Sequence, residues 1–162
     1  MEKHLEDSME GKWIPATSVR SGVGQEVAPD LYCLTIQIVN VVMVGHPDGS
    51  EWVLVDAGMP ESAGDILSAA WERFGVTKPK AIILTHGHFD HVGAVVDLAE
   101  TWDVPVFAHE LEMPFLTGQS SYPEPDPTVE GGWIAKLSPL FPREPVNLGN
   151  RVQTLPSDGH VP

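Results

Sequence analysis

Apolar and polar positions along the chain alternate between strand-like and helix-like patterns. Residues 1 to about 28 are polar and Gly-rich and read as a loose lead-in, with a short strand around Trp13 to Val19. From Leu31 to Val44 the sequence is dense in β-branched residues, which suit a pleated, half-buried surface, and it reads as strand with Asn40 as a polar interruption. The turn cluster Gly45-His46-Pro47-Asp48-Gly49-Ser50 and the return run Trp52-Val53-Leu54-Val55 predict a hairpin. That return strand ends in Asp56-Ala57-Gly58, which puts a carboxylate at a strand tip.

Ser62-Ala63-Gly64-Asp65 opens a helix in the pattern of a capping box, Ser followed three residues later by an acid. Ile66, Leu67, Ala70, Trp71 and Phe74 then recur at helical spacing, and Gly75 suits the stop. Lys80 to Leu84 is a short buried strand. Helical periodicity resumes over Val92 to Trp102, Asp103 turns the chain, and Val104 to Ala108 reads as another strand. His109 to Leu116 reads as a short helix cut by Pro114, and Val152 to Leu155 as the start of a further strand. This strand–helix–strand–helix–strand order argues an α/β fold with layered helices. Residues 120–146 form a Pro-rich loop insert. So long an irregular tract in a compact domain reads either as a cover over a site or as a disordered linker.

Bulk properties narrow the function classes. With 162 residues the chain is one domain, and its 42% apolar and 20% charged content is globular. The net charge is −14, from 23 acidic and 9 basic side chains, which disfavours nucleic acid and anionic membrane surfaces as partners. The single cysteine, Cys33, precludes an internal disulfide and reads as a buried inert thiol. The N-terminus lacks the apolar core of a secretory signal and no run approaches a membrane span, so a cytoplasmic location is expected.

The chemistry concentrates in Thr85-His86-Gly87-His88-Phe89-Asp90-His91, directly after the apolar run Ala81-Ile82-Ile83-Leu84. Imidazole nitrogen and carboxylate oxygen are the donors that a zinc-like divalent ion prefers. His86 and His88 leave the strand two residues apart and can turn to one ion. Asp90 and His91 are carried to a neighbouring position, where two ions ~3.5–4 Å apart could be served. Gly87 supplies backbone freedom for the bend.

The motif Thr-His-x-His-x-Asp-His after an apolar strand resembles that of the metallo-β-lactamase superfamily, and Asp56 matches the early strand-end Asp of that family. The resemblance is good over residues 30 to 110. It implies an αββα sandwich, of which this chain would be the N-terminal half, a single incomplete domain over residues 1–162. It implies that His86 and His88 hold one metal, that Asp90 and His91 hold a second, and that Asp56 supports the metal loop from behind. The cofactor implied is Zn2+, two per complete domain, with iron or manganese as alternatives. The activity implied is hydrolysis of an ester, lactone or thioester in a small-molecule substrate by a metal-bound hydroxide, with Asp90 orienting the water and taking its proton. The alternatives are a truncated, catalytically inactive metal-binding scaffold and a di-iron or sulfur oxidoreductase branch of the same superfamily.

The later ligands of that family, one His for the first metal and a bridging Asp and last His for the second, have no secure counterpart. His160 follows Gly159 but lies on a Ser-Asp-Gly turn and reads as a loop histidine. His109 reads as structural, and His4 and His46 as solvated. The expected consequence is two good ligands per metal, with weak binding or one ion shared by all four. A second consequence is a sheet face left apolar and uncovered, open to self-association.

Overall fold

The computed structural model describes residues 22–123 and 146–158. The expected strand at Trp13 to Val19, nearly all of the Pro-rich insert, and His160 lie outside the described residues. Among the described residues seven strands form one sheet in sequential order. They are β1 (Val23–Ala28), β2 (Leu31–Ile36), β3 (Val39–Val44), β4 (Val53–Val55), β5 (Ile82–Leu84), β6 (Val106–Ala108) and β7 (Val152–Thr154). Pairing is antiparallel from β1 to β4 and parallel from β4 to β7.

The run Leu31 to Val44, expected as one strand interrupted at Asn40, is two strands joined at Gln37-Ile38. Gln37 takes a left-handed conformation at φ 53° to make the turn. Asn40 lies within β3, paired opposite Thr35, whose hydroxyl donates to its side-chain oxygen (3.0 Å). The lead-in is also more ordered than expected, since β1 pairs with β2 as a largely exposed edge strand. Arg73 braces this edge. It forms an ion pair with Glu26, donates to the carbonyls of Pro29 and Gly45 (both 3.3 Å), and lies over the ring of Tyr32.

Helices lie in the crossovers from β4 to β5 and from β5 to β6. Helix α1 (Ala63–Phe74) links β4 to β5. Ser62 sits at its N-cap position but donates its hydroxyl to the Met59 carbonyl (2.7 Å) and caps nothing, so the capping box does not form. Gly75 ends the helix as expected, at φ 59°. The second crossover, expected as one helix from Val92, is broken into α2 (Phe89–Val92) and α3 (Val95–Trp102). The break lies at Gly93, where a Cβ would come within 2.1 Å of the Pro60 nitrogen, so only glycine lets the two segments meet. A 3-10 turn (Glu110–Glu112) leads into α4 (Met113–Leu116). Pro114 stands in the first turn of α4, where a missing N–H costs nothing, and does not cut it.

The period-2 alternation of the strands sorts their side chains onto two faces. Leu34, Val41, Met43, Leu54, Ile82 and Val106 join Ile66, Ala70, Phe74, Val95 and Leu98 of α1 and α3 in the buried core. The opposite face carries Cys33, Val42, Val44, Val53, Val55 and Ile83, all only half-buried, so the inert buried position expected for Cys33 is only partly realised. Among the described residues no helix is long and apolar enough to cross a membrane.

Among the described residues Trp52 is the largest fully buried side chain. It stacks on Phe74 at 4.3 Å, meets Trp102 edge-on at 5.7 Å and donates its indole N–H to the Thr77 carbonyl at 2.9 Å. Trp52→Ala should therefore lower unfolding free energy by about 3–5 kcal/mol. Trp71→Ala, at a site 63% exposed, should change it by less than ~0.5 kcal/mol. Urea titration of the two variants separates them, and similar midpoints would contradict this placement of the core.

Candidate metal centre

The register of β4 and β5 builds the site. Leu54 pairs with Ile82 and Val55 with Ile83, so the residues just beyond the two strand ends emerge side by side. Asp56 follows β4 in a left-handed conformation (φ 62°) and donates its N–H to the Ile83 carbonyl (2.8 Å). The residue is 5% exposed. The backbone N–H of Thr85 donates to Asp56 Oδ1 (2.8 Å) and the Thr85 hydroxyl donates to Oδ2 (2.7 Å). His91 Nδ1 donates to the same Oδ2 (2.8 Å). A buried carboxylate is tolerated only when its oxygens are satisfied in this way.

A carboxylate only accepts, and this fixes the protons around it. Since Thr85 Oγ1 gives its proton to Asp56, it accepts from His86 Nδ1, 3.0 Å away. His91 likewise places its proton on Nδ1. Both rings are left with a lone pair on Nε2, the orientation imposed on metal-binding histidines by their outer partners. Burial lowers the His86 pKa, and the neighbouring His91 and His88 lower it further, which keeps this ring neutral. For His91 burial also opposes protonation, but the hydrogen bond and charge of Asp56, with the charge of Asp90, outweigh it and raise the pKa.

The four expected ligands come together in two pairs. His86 Nε2 and His88 Nδ1 are 3.0 Å apart, and His91 Nε2 lies 4.0 Å from Asp90 Oδ2. The two pairs adjoin, with the His86 and His91 rings 4.1 Å apart. Two donors on one tetrahedral zinc ion, each ~2.0–2.1 Å from it, are about 3.3 Å apart. The donor types suit a divalent cation; the His86–His88 spacing is close to that value and the 4.0 Å between His91 and Asp90 is wider. Among the described residues no group of three His, Cys, Asp or Glu side chains is arranged around one ion. His109 stands apart, with Nδ1 accepting from the Leu111 N–H (3.2 Å) at the start of the 3-10 turn.

Thr85, Tyr122 and Glu112 carried no role in the sequence reading. Thr85 links Asp56 to His86, and its place in the motif was the one available signal. Tyr122 accepts the Gly87 N–H (2.6 Å) and donates to Glu112. Burial and that hydrogen bond push the Tyr122 pKa well above its ordinary value. Gly87, expected to supply backbone freedom, also sits where a side chain would be crowded. A Cβ there would lie 3.0 Å from Leu116 Cδ2 and 3.2 Å from the Tyr122 hydroxyl.

Residues 34–162 match the family model of the metallo-beta-lactamase superfamily. The chain is 51% identical over 156 residues to a probable metallo-hydrolase, YflN, of Bacillus subtilis, covering 95% of this chain and 59% of that protein. It is 34% identical over 116 residues to a second probable metallo-hydrolase of the same organism, YybB, covering 70% of this chain and 51% of the other. The solved structure of the Rm3 metallo-beta-lactamase superposes with a TM-score of 0.60 at 21% identity, over 91% of this chain and 50% of that one. The chain belongs to the metallo-beta-lactamase superfamily and has its α/β fold. It spans about half the length of the curated relatives it matches.

Asp56→Asn keeps a residue that tolerates the left-handed backbone and an acceptor for the Thr85 N–H. It removes the charge and one of the two oxygens that hold Thr85 and His91. Zinc affinity, measured by competition with a chromophoric chelator, should fall about 10–100-fold. Unchanged affinity would show that Asp56 does not orient the ligands.

Proposed function

We propose that this chain carries the metal-binding residues of a zinc-dependent hydrolase acting on an ester, lactone or thioester of a small molecule. The observation that carries the reading is the gathering of four metal-type donors beyond β5, with His86 3.0 Å from His88 and Asp90 4.0 Å from His91. The relatives named as probable metallo-hydrolases support it. A divalent cation, when bound, lowers the pKa of a coordinated water to ~7 and stabilises negative charge developing on a carbonyl oxygen. The residues of the chain hold and orient. His86 and His91 present Nε2 because Thr85 and Asp56 occupy their Nδ1 atoms, and Asp90 accepts the proton that the attacking water loses. The net charge of −14 favours neutral or cationic small molecules over phosphate polymers.

The purified, zinc-loaded chain should hydrolyse simple ester, lactone or thioester substrates, and chelation or His86→Ala should lower kcat/KM at least ~100-fold. Zinc bound without turnover of any of the three classes would favour the inactive scaffold. Turnover that survives both chelation and His86→Ala would refute the metal assignment.

We further propose that a second copy of the chain docks on the half-buried apolar face around Val42 and Val55, which are paired across β3 and β4. Exposed apolar area of this kind commonly marks an interface. Sedimentation should give a dimer or larger species at micromolar concentration, shifted to monomer by Val42→Lys. A monomeric wild-type chain would end this proposal.

A further inference from the structure

The loop that carries His86 and His88 is held at a further point besides its bonds to Asp56. Gly87 lies between the two histidines, and its backbone N–H points to the Tyr122 hydroxyl at 2.6 Å. That hydroxyl donates its own proton to Glu112 Oε2, so its lone pairs remain for the Gly87 amide. The Tyr122 ring is held independently of its hydroxyl, stacked on Phe115 with centroids 4.1 Å apart and planes 12° from parallel. Its other contact is with a candidate ligand, since the His88 ring meets it edge-on at 4.5 Å. Thus Glu112 and Phe115, on the 3-10 turn and α4, place a tyrosine that touches both the backbone between the two ligands and the ring of one of them.

We propose that Tyr122 is a positioning residue for the metal loop, and that its hydroxyl, aimed by Glu112, fixes the Gly87 amide and with it the angle at which His86 and His88 face a shared cation. The inference rests on the metal-binding reading above and deepens it. The two imidazoles are joined by only three backbone units, so a rotation of the Gly87 peptide swings one ring relative to the other. Donor atoms 3.0 Å apart tolerate little of that before they no longer serve one ion. Asp56 and Thr85 hold the loop at its two ends, through His86 and His91. Tyr122 supplies an attachment between them, at the Gly87 amide, and the absence of a Cβ on Gly87 leaves room for it.

The test uses the full chain loaded with Co2+, whose visible spectrum reports ligand geometry, and with Zn2+ for affinity. Tyr122→Phe keeps the ring contacts with Phe115 and His88 and removes the hydroxyl alone. It should weaken Zn2+ binding about 10–100-fold and shift the Co2+ bands. The melting temperature of the metal-free chain should fall far less than the affinity loss would require of a merely less folded protein. Glu112→Gln, which keeps an acceptor oxygen for the phenol, should recover most of the affinity, while Glu112→Ala should resemble Tyr122→Phe. Should Tyr122→Phe fail to fold, the Glu112 pair decides by the same readouts. Wild-type affinity and spectrum in Tyr122→Phe would overturn the inference, as would a full affinity loss in Phe115→Leu beside none in Tyr122→Phe. Wild-type zinc binding in His86→Ala would instead overturn the metal-binding reading itself.

Discussion

Everything at the site depends on one buried carboxylate. Asp56 is held in a backbone conformation that non-glycine residues seldom adopt, at the tip of β4 where its charge is shielded from water. Unpaired, it would be costly there, and three hydrogen bonds from Thr85 and His91 make it tolerable. Those bonds connect the end of β4 to both ends of the histidine loop. Two backbone bonds reinforce the tie, from the Ala57 N–H to the His91 carbonyl (2.7 Å) and from the Gly93 N–H to the Gly58 carbonyl (2.8 Å). The loop is thereby anchored to the strand beside the one it leaves. Its geometry follows from the parallel pairing of β4 and β5 and does not have to be set within the loop.

Much of this was legible in the sequence because its chemistry is local. Four donor side chains within six residues after an apolar strand need no tertiary knowledge to be recognised, and Asp56 stood out as a lone carboxylate at a strand end. The helix over Ala63–Phe74 was equally readable, since its apolar stripe and Gly75 stop are properties of one segment. What was not legible lacked a local signature. The turn at Gln37-Ile38 has neither the Gly nor the Asn-Gly that normally marks a left-handed position, so Asn40 drew attention instead. Strand β1 has no buried face to impose alternation and is held by its ladder to β2. The split between α2 and α3 depends on the backbone at Pro60 passing against Gly93, far away in sequence. Tyr122 is 35 residues from Gly87, and nothing in the neighbourhood of either announces the bond between them.

The position of the site on the sheet also has a physical reason. Strand order is sequential, and the direction of pairing changes at β4, where an antiparallel meander becomes a parallel series. Parallel strands carry all their C-terminal ends to one edge, and the loops leaving that edge can converge in a way that hairpin loops cannot. Asp56 leaves β4 there, the histidine loop leaves β5, and the Glu110–Glu112 turn follows β6. Three successive strands thus deliver an anchor, a ligand loop and a brace to one place.

Because anchor and brace grip the loop from different strands, the order of the donors does not have to come from a bound ion. The hydrogen-bond chain from Asp56 through Thr85 to His86 sets one ring, the direct bond to His91 sets another, and the Gly87 amide ties down the backbone between the first two ligands. His86 and His91 are therefore oriented by the protein itself, and in the proposed metal-binding role the ordering entropy that would otherwise reduce affinity is met by folding. The number of ligands around each ion and the readiness of those ligands are then separate properties. In the proposed role, groups that complete the coordination raise affinity by adding donors, whereas Asp56, Thr85 and Tyr122 act on the donors already present. A substitution in this supporting set should therefore weaken both pairs together, because the pairs share one loop, while loss of a single ligand falls chiefly on its own ion.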